Sequence, residues 1–434
     1  MLDIKYIREN LDKVKKDTAN KNCSIDFDRL IELDNLRKKA QIEIDSLRAK
    51  RNEIAEKMQK ERSDKYILEG KKIKEQMSVL EDGYRKNNEE FESILLSVPN
   101  VVDDDVVVGK DESQNVVLRK WGEPKSFVFT AKDHVEIGKD LDLIDVEKSG
   151  EITGARFYYL KNEAVLMQFG IIQLVLETLT NKKLIAKLAK QVGNGSDMPF
   201  TPMIVPMMMK SSVMKKMDRL DPMDERYCLP SDELVLIGSA EHTLGPLHMD
   251  ETIDYEKLPI RYIGYSTAFR REAGSYGKDM KGILRVHQFD KLEMETFTIK
   301  EQGRLEQDLI VAIQEYLVQQ LEIPYQVVSI CTGDMGKPDF RQIDIECWVP
   351  SQGRYRETHT SDYMTDYQSR RLNTKYKDEK GDKGFVYMND ATAFAIERTL
   401  IAILENYQQE DGSVLIPKVL QKYVGKDRIV KKEE

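Results

Sequence analysis

Between Asp28 and about Arg62, apolar side chains return at Leu33, Leu36, Ala40, Ile44, Leu47, Ile54 and Met58. Steps of three and four put these residues on one stripe of an α-helix, whereas the two-residue period of a strand would scatter them over both faces. The stripe resumes at Ile73, Met77, Leu80, Tyr84 and Phe91. Between the halves lies Glu61-Arg62-Ser63-Asp64-Lys65, a polar turn in which Ser63 or Asp64 is suited to cap the second helix. The spacing predicts one antiparallel helical hairpin, each helix of roughly 33 residues and about 50 Å. Its outer faces mix Lys and Arg with Glu and Asp, which taken alone describes a solvated spacer or dimerisation coil.

The pattern stops at Pro99, and the Asp103-Asp104-Asp105 run that follows is a poor core former. The expected division is a helical domain over 1–98, a linker over 99–120, and a second domain over 121–434 opening at Trp121-Gly122-Glu123-Pro124. In the second domain short alternating strands mix with helical stretches, without internal repeat, which indicates α+β rather than a doubly wound sheet. Neither G-x-G-x-x-G nor G-x-x-x-x-G-K-[ST] occurs, so any phosphate chemistry is not of the Rossmann or P-loop kind. A charged fraction of 33% against 40% hydrophobic is that of a soluble globular protein. No apolar run approaches the ~20 residues that span a bilayer. The opening MLDIKYIREN is charged within its first five residues, unlike a secretory leader. Cys23, Cys228, Cys331 and Cys347 lie far apart, which suits the reducing cytoplasm and argues against a zinc cluster. The net charge of −9 does not announce a nucleic-acid binder, so contact with RNA needs a local patch.

The stretch from Thr267 to Glu293, TAFRREAGSYGKDMKGILRVHQFDKLE, carries the chemistry. An apolar run ends in Arg270 and Glu272, a Gly-, Lys- and Asp-rich loop follows, and an alternating strand is expected over Ile283–Phe289. One arm of this hairpin offers a guanidinium that can fork onto a phosphate, and the other offers the face of Phe289 to a nucleobase. The segment resembles motif 2 of the class II aminoacyl-tRNA synthetases, and RREAGSYGKD with RVHQFDKLE is similar to that of the seryl-tRNA synthetases in particular. The resemblance runs from MLDIKYIREN to ENYQQEDGSVLIPKVLQKY.

This resemblance implies an antiparallel sheet flanked by helices, with an N-terminal coiled-coil arm that reaches the long variable arm of tRNA(Ser). Gly154–Leu160, the helix after it and Phe200–Pro206 resemble motif 1, which implies a homodimer. Pro202 and Pro206 suit an edge strand, where no N–H is needed. The implied reaction joins ATP and L-serine into seryl-adenylate with Mg2+, then moves serine to tRNA(Ser), with the selenocysteine tRNA, tRNA(Sec), as a further candidate. Neither DNA nor a membrane is an implied partner. By resemblance, Arg270 grips the α-phosphate, Glu272 accepts from the adenine amine, Phe289 stacks on adenine, and Arg398 is the motif 3 arginine facing the γ-phosphate. The run Glu357, Thr358, His359 and Thr360 lies where the family binds ATP, with Glu357 and Thr360 as metal ligands. His359 would be a poor magnesium ligand and reads as packing or tRNA-facing. Ser239, Ala240 and Glu241 match the family's Thr-Ala-Glu at the substrate amine, Glu293 the acid that bonds the serine hydroxyl, and Thr392 a substrate contact. The loop Ser275–Asp279 would meet the acceptor end of the tRNA. Asp390-Ala391-Thr392-Ala393 departs from Asn-Gly-Ser/Thr-Gly, and Glu397 stands at a usual Gly. These departures keep open a synthetase-like tRNA-binding protein without activation, beside a ligase that loads a carrier protein.

Overall fold

The computed structural model describes residues 1–273 and 281–432, in two compact units, Met1–Val101 and Val102–Glu434. In the first unit, helix α1 (Phe27–Lys60) and helix α2 (Asp64–Ser97) are each 34 residues and lie antiparallel. Asp26 caps α1 by accepting from the Arg29 N–H, and Ser63 caps α2 by accepting from the Lys65 N–H. The seam buries Leu30, Leu33, Ile44 and Ile54 against Ile73, Met77, Phe91 and Leu95, each worth roughly 1.5–3 kcal/mol when fully buried. One expected position is off the seam: Leu36 is exposed, and the stripe runs through Arg37 instead. The Arg37 guanidinium lies 3.9 Å over the Phe91 ring and donates to Asn88 at 2.8 Å, so a charged head caps an apolar stem. Arg29–Glu90 and Arg48–Glu81 pair across the hairpin; exposed pairs of this kind add little energy but favour one register.

The second unit is built on an eight-stranded sheet. Its strands in chain order are β1 (Val116–Trp121), β2 (Thr201–Ile204), β3 (Ile260–Phe269), β4 (Gln288–Thr298), β5 (Tyr325–Ser329), β6 (Arg341–Val349), β7 (Arg354–Thr365) and β8 (Tyr387–Ala395). They lie in the order β1-β5-β6-β7-β8-β4-β3-β2, antiparallel except for the β2/β3 pair. Helices α3 (Glu163–Leu179), α4 (Gly303–Gln320) and α5 (Ile396–Tyr407) contribute to the core on one face of this sheet. Pro202 sits in β2 at the sheet edge, as its missing N–H requires. No single helix among the described residues is long and apolar enough to cross a membrane.

Residues 102–120, expected as a linker, pack into this unit. Val102 and Val106 join Val328, Ile330 and Met335 in a small core, and β1 pairs with β5. Asp103 and Asp105 are both engaged by Arg304, so the acidic run is anchored by charge where it cannot be by apolar burial.

The strand expected over Ile283–Phe289 begins only at Gln288. The opposing strand ends at Phe269, which pairs with Gln288, so among the described residues no strand lies opposite 283–287. Ile283, Leu284 and Val286 are buried there, an apolar pair side by side that a half-buried strand would split between its faces.

Candidate active site

Alternation along β4 sends Leu292 and Met294 into the core, and puts Phe289, Lys291, Glu293 and Glu295 together on the opposite face. On β7 alternation alone would separate Glu357 from Thr360. A bulge intervenes: Ile345 pairs with His359 and Glu346 with Glu357, leaving Thr358 without an opposite residue. Glu357 and Thr360 therefore share the site face, with the Thr360 hydroxyl 3.4 Å from Glu357 Oε1. Helix α4 holds the distorted strands in place, because the Gln314 amide donates to both the Thr360 carbonyl at 2.9 Å and the Thr392 carbonyl at 2.8 Å.

These faces line one open cleft. Arg270, Phe289, Glu357, Thr360 and Arg398 are among the residues that line it. The Arg270 guanidinium lies 5.3 Å from the Phe289 ring centre, and its Nε donates to the Gly238 carbonyl at 3.1 Å. Arg398 Nη1 donates to Glu357 at both its backbone carbonyl and Oε1, each at 2.9 Å. Partial desolvation opposes ionisation of Glu357, whose side chain is still about half exposed, but Arg398, Arg270 and Lys291 outweigh it and hold the carboxyl below its usual range. Glu272 also faces the cleft, though not from a strand: its φ is 51°, and its carboxylate accepts from Arg285 at 2.8 Å. Arg270 and Glu272 both lie beyond β3, which ends at Phe269.

Glu241, Glu293, Asp390 and Thr392 line the cleft with Arg219, Lys291 and Asp362. Asp390 lies opposite Glu295 on β4 and opposite Asp362 on β7, so three carboxyls cross adjacent strands in a row. Burial pushes Asp390, Glu295 and Asp362 well above the usual carboxylate range, and the neighbouring acids add to it. Glu293 is 1% exposed; burial raises it to about 7, although Lys291 lies 2.7 Å away and opposes the shift. Glu241 behaves differently. Burial would raise it too, but Arg219, Lys291 and their neighbours hold it far below its ordinary value. His242 is kept neutral, its pKa lowered to about 3 by burial and nearby arginines. Its Nδ1 accepts the Gly238 N–H at 3.1 Å, which leaves the ring proton on Nε2, 3.6 Å from Glu241.

Three expected site residues lie off the cleft. His359 is buried against Phe394, ring centres 5.0 Å apart, with Thr358 Oγ1 2.8 Å from its Nδ1, so it packs and does not face outward. Ser239 and Ala240 are fully buried behind the wall; the Ser239 hydroxyl accepts from Lys291 Nζ at 3.3 Å. Thr358 borders the cleft, but its hydroxyl turns to the Ile345 carbonyl at 3.1 Å. The loop Ser275–Asp279 lies outside the described residues. Arg219 and Lys291 escaped the sequence reading, since an isolated basic residue looks the same buried or exposed. Lys291 had one signal, its two-residue spacing from Phe289 and Glu293.

Both sequence departures have structural partners. Asp390 meets Arg219 Nη2 at 3.2 Å. Glu397 accepts from the Asp290 N–H at 3.0 and 3.2 Å, and from the Tyr158 hydroxyl.

Comparison with known proteins agrees with this architecture. Residues 1–102 match the seryl-tRNA synthetase N-terminal domain, and residues 227–407 match the class II tRNA synthetase core domain (G, H, P, S and T). The chain is 41% identical to the serine–tRNA ligase of Dictyoglomus turgidum over 431 residues, 98% of each chain. It is 40% identical to that of Dictyoglomus thermophilum over the full length of both. The crystal structure of seryl-tRNA synthetase from Pyrococcus horikoshii complexed with ATP superposes with a TM-score of 0.89 at 35% identity, covering 100% of both chains. A sheet of this topology, a charged cleft at its centre and an N-terminal helical hairpin thus occur together in a chain that belongs to the seryl-tRNA synthetase family, the class II aminoacyl-tRNA synthetases that ligate serine to tRNA.

Proposed function

We propose that the cleft activates L-serine with ATP, and that its two ends divide the substrates. The observation that carries this reading is the convergence of Arg270, Phe289, Glu357, Thr360 and Arg398 in one cleft with Glu241, Glu293 and Thr392. Activation brings the serine carboxylate onto the α-phosphorus, forming a P–O bond as the bond to pyrophosphate breaks. Both reactants are anions, so fixed cations and alignment matter more than a base. Arg270 spans the attacking carboxylate and the α-phosphate, Phe289 supports the adenine ring, Glu272 accepts from the adenine amine, and Arg398 faces the γ-phosphate. Glu357 and Thr360 offer hard oxygens on one side of the cleft, a donor set that fits Mg2+. The ion would supply charge neutralisation for the phosphates.

Serine selectivity follows from burial. Glu241 is held as an anion and takes the substrate ammonium, while Glu293 and Thr392 meet the hydroxyl. An amino acid lacking that hydroxyl leaves a buried carboxyl unpaired. Residues 1–98 form the tRNA-gripping part, with tRNA(Ser), and tRNA(Sec) as a second candidate, along the hairpin. A homodimer is supported by apolar side chains left open where motif 1 lies: Ile204 on edge strand β2 is 82% exposed, and Phe169 on α3 is 59%.

The test is amino-acid-dependent ATP–pyrophosphate exchange with Mg2+, run with serine, alanine, threonine and glycine. Exchange with serine alone is expected. Exchange with none of them, from folded protein, would overturn the reading in favour of a tRNA-binding protein without activation.

A further inference from the structure

Asp390, Glu295 and Asp362 lie side by side across three strands, and Glu241 and Glu293 close on them from the cleft wall. Carboxylate oxygens of Glu241, Glu293 and Asp390 all fall within 4.8 Å of one another. At that separation and depth, acids without counter-ions share protons, and none of them offers a dependable full charge at neutral pH. A metal ion could bridge such a trio, but two protein cations already stand against it. Lys291 Nζ is 2.7 Å from Glu293, and Arg219 reaches both other acids, with Nη2 3.2 Å from Asp390 and Nε 3.5 Å from Glu241.

Arg219 arrives from outside the sheet, in the segment after the short helix Ser211–Lys216, and its side chain is 17% exposed. Its own position is fixed: its N–H donates to the Met214 carbonyl at 3.2 Å, and its carbonyl accepts from Arg226 Nε at 2.9 Å. Among the described residues that line the cleft, it is the cation that stands between Glu241 and Asp390.

We infer that Arg219 is a positioning residue for the amino-acid substrate: its guanidinium separates Glu241 from Asp390 and holds Glu241 as the anion that receives the substrate ammonium. The inference rests on the reading of Glu241 given above. Without Arg219, Asp390 and Glu241 compete for one proton, and the ammonium meets an acid that is partly neutral. Removing the second acid as well ends that competition. Arg219 therefore governs the affinity for serine far more than that for ATP, and its loss is repaired by loss of Asp390.

The experiment measures KM for serine and KM for ATP separately, by pyrophosphate exchange, in Arg219→Met, the double variant Arg219→Met/Asp390→Asn, and Glu241→Gln. Arg219→Met is expected to raise the serine KM about 10- to 100-fold, the span of one charge-assisted contact, with the ATP KM within about twofold. The double variant is expected to recover most of that loss, which a merely structural arginine would not allow. If Arg219→Met does not fold, Arg219→Lys carries the test, since it keeps the charge but loses the fork to both acids; a serine KM raised by at least about fivefold is then expected. A folded Arg219→Met with the serine KM of the parent overturns the inference, as does a parallel loss in serine and ATP KM without recovery in the double variant. For Arg219→Lys, an unchanged serine KM does the same. Glu241→Gln separates the two readings. A raised serine KM there, with none in Arg219→Met, sinks the arginine alone, whereas an unchanged one sinks both.

Discussion

Glu397→Gln should make the catalytic unit progressively more stable than its parent as pH rises from about 5 to 8. Glu397 opens helix α5 as a buried carboxyl accepting from the Asp290 N–H and the Tyr158 hydroxyl. Burial raises its pKa from 4.5 to about 8, against the opposing effect of those donors. Between these two values the folded chain keeps a proton that the unfolded chain releases. The folded state thus binds more protons, and stability falls with rising pH by about 1.4 kcal/mol per unit. The full loss is on the order of 4–5 kcal/mol above pH 8 and absent below about pH 4. Glutamine fills nearly the same space and cannot ionise, so it escapes this loss while keeping an oxygen for the Asp290 N–H. Both tryptophans, Trp121 and Trp348, lie in the second unit, so their fluorescence in urea reports that unit alone. The stability difference between variant and parent should widen by roughly 3–4 kcal/mol between pH 5 and pH 8. Curves that stay parallel across that range would mean Glu397 is ionised in the folded state, and would refute the reasoning. Glu397→Ala escapes the same pH-dependent loss but strands the Asp290 N–H, so it should lie roughly 1–3 kcal/mol below Glu397→Gln at every pH in the range.

Arg270→Ala is expected to abolish exchange while leaving the urea midpoint near that of the parent; an active folded variant would remove Arg270 from the site. Glu293→Gln should narrow the preference for serine over alanine by at least about tenfold in kcat/KM, read in the same exchange assay; unchanged discrimination would assign the hydroxyl to another group. Replacing residues 45–80 of the hairpin with a short Gly-Ser turn should leave exchange within about twofold and lower kcat/KM for tRNA(Ser) by at least about tenfold. Normal charging by the shortened protein would free the hairpin from tRNA recognition.

The helical hairpin was readable because its signal is local: a three-four stripe, a polar turn and a capping serine. The cleft was nearly as readable in part: Arg270, Phe289 and Arg398 stand in recognisable strings and converge in it. Residues set by tertiary register were not. Leu36 and Arg37 are both plausible seam residues in the chain, and only the Phe91 ring opposite selects Arg37. His359 and Thr360 are neighbours in one string, yet alternation sends one against Phe394 and the other into the cleft. Asp390 looked like an uncompensated charge because its partner, Arg219, comes from a segment 171 residues away. Within the expected linker, Asp103 and Asp105 are held by Arg304, a pairing across about 200 residues that composition cannot foresee.

The unpaired Thr358 sets the phase of strand β7. Deleting Tyr355 or Arg356 would straighten the strand, and Glu357 would turn toward the side that His359 occupies. The cleft would lose its acid although glutamate would remain in the sequence, and the oily side would gain a charge. Length rather than composition is then the property this strand can least afford to vary. Variants scanned by single-residue deletion should fail sharply over these few positions, where many exchanges of side chain at Arg354 or Arg356 would pass.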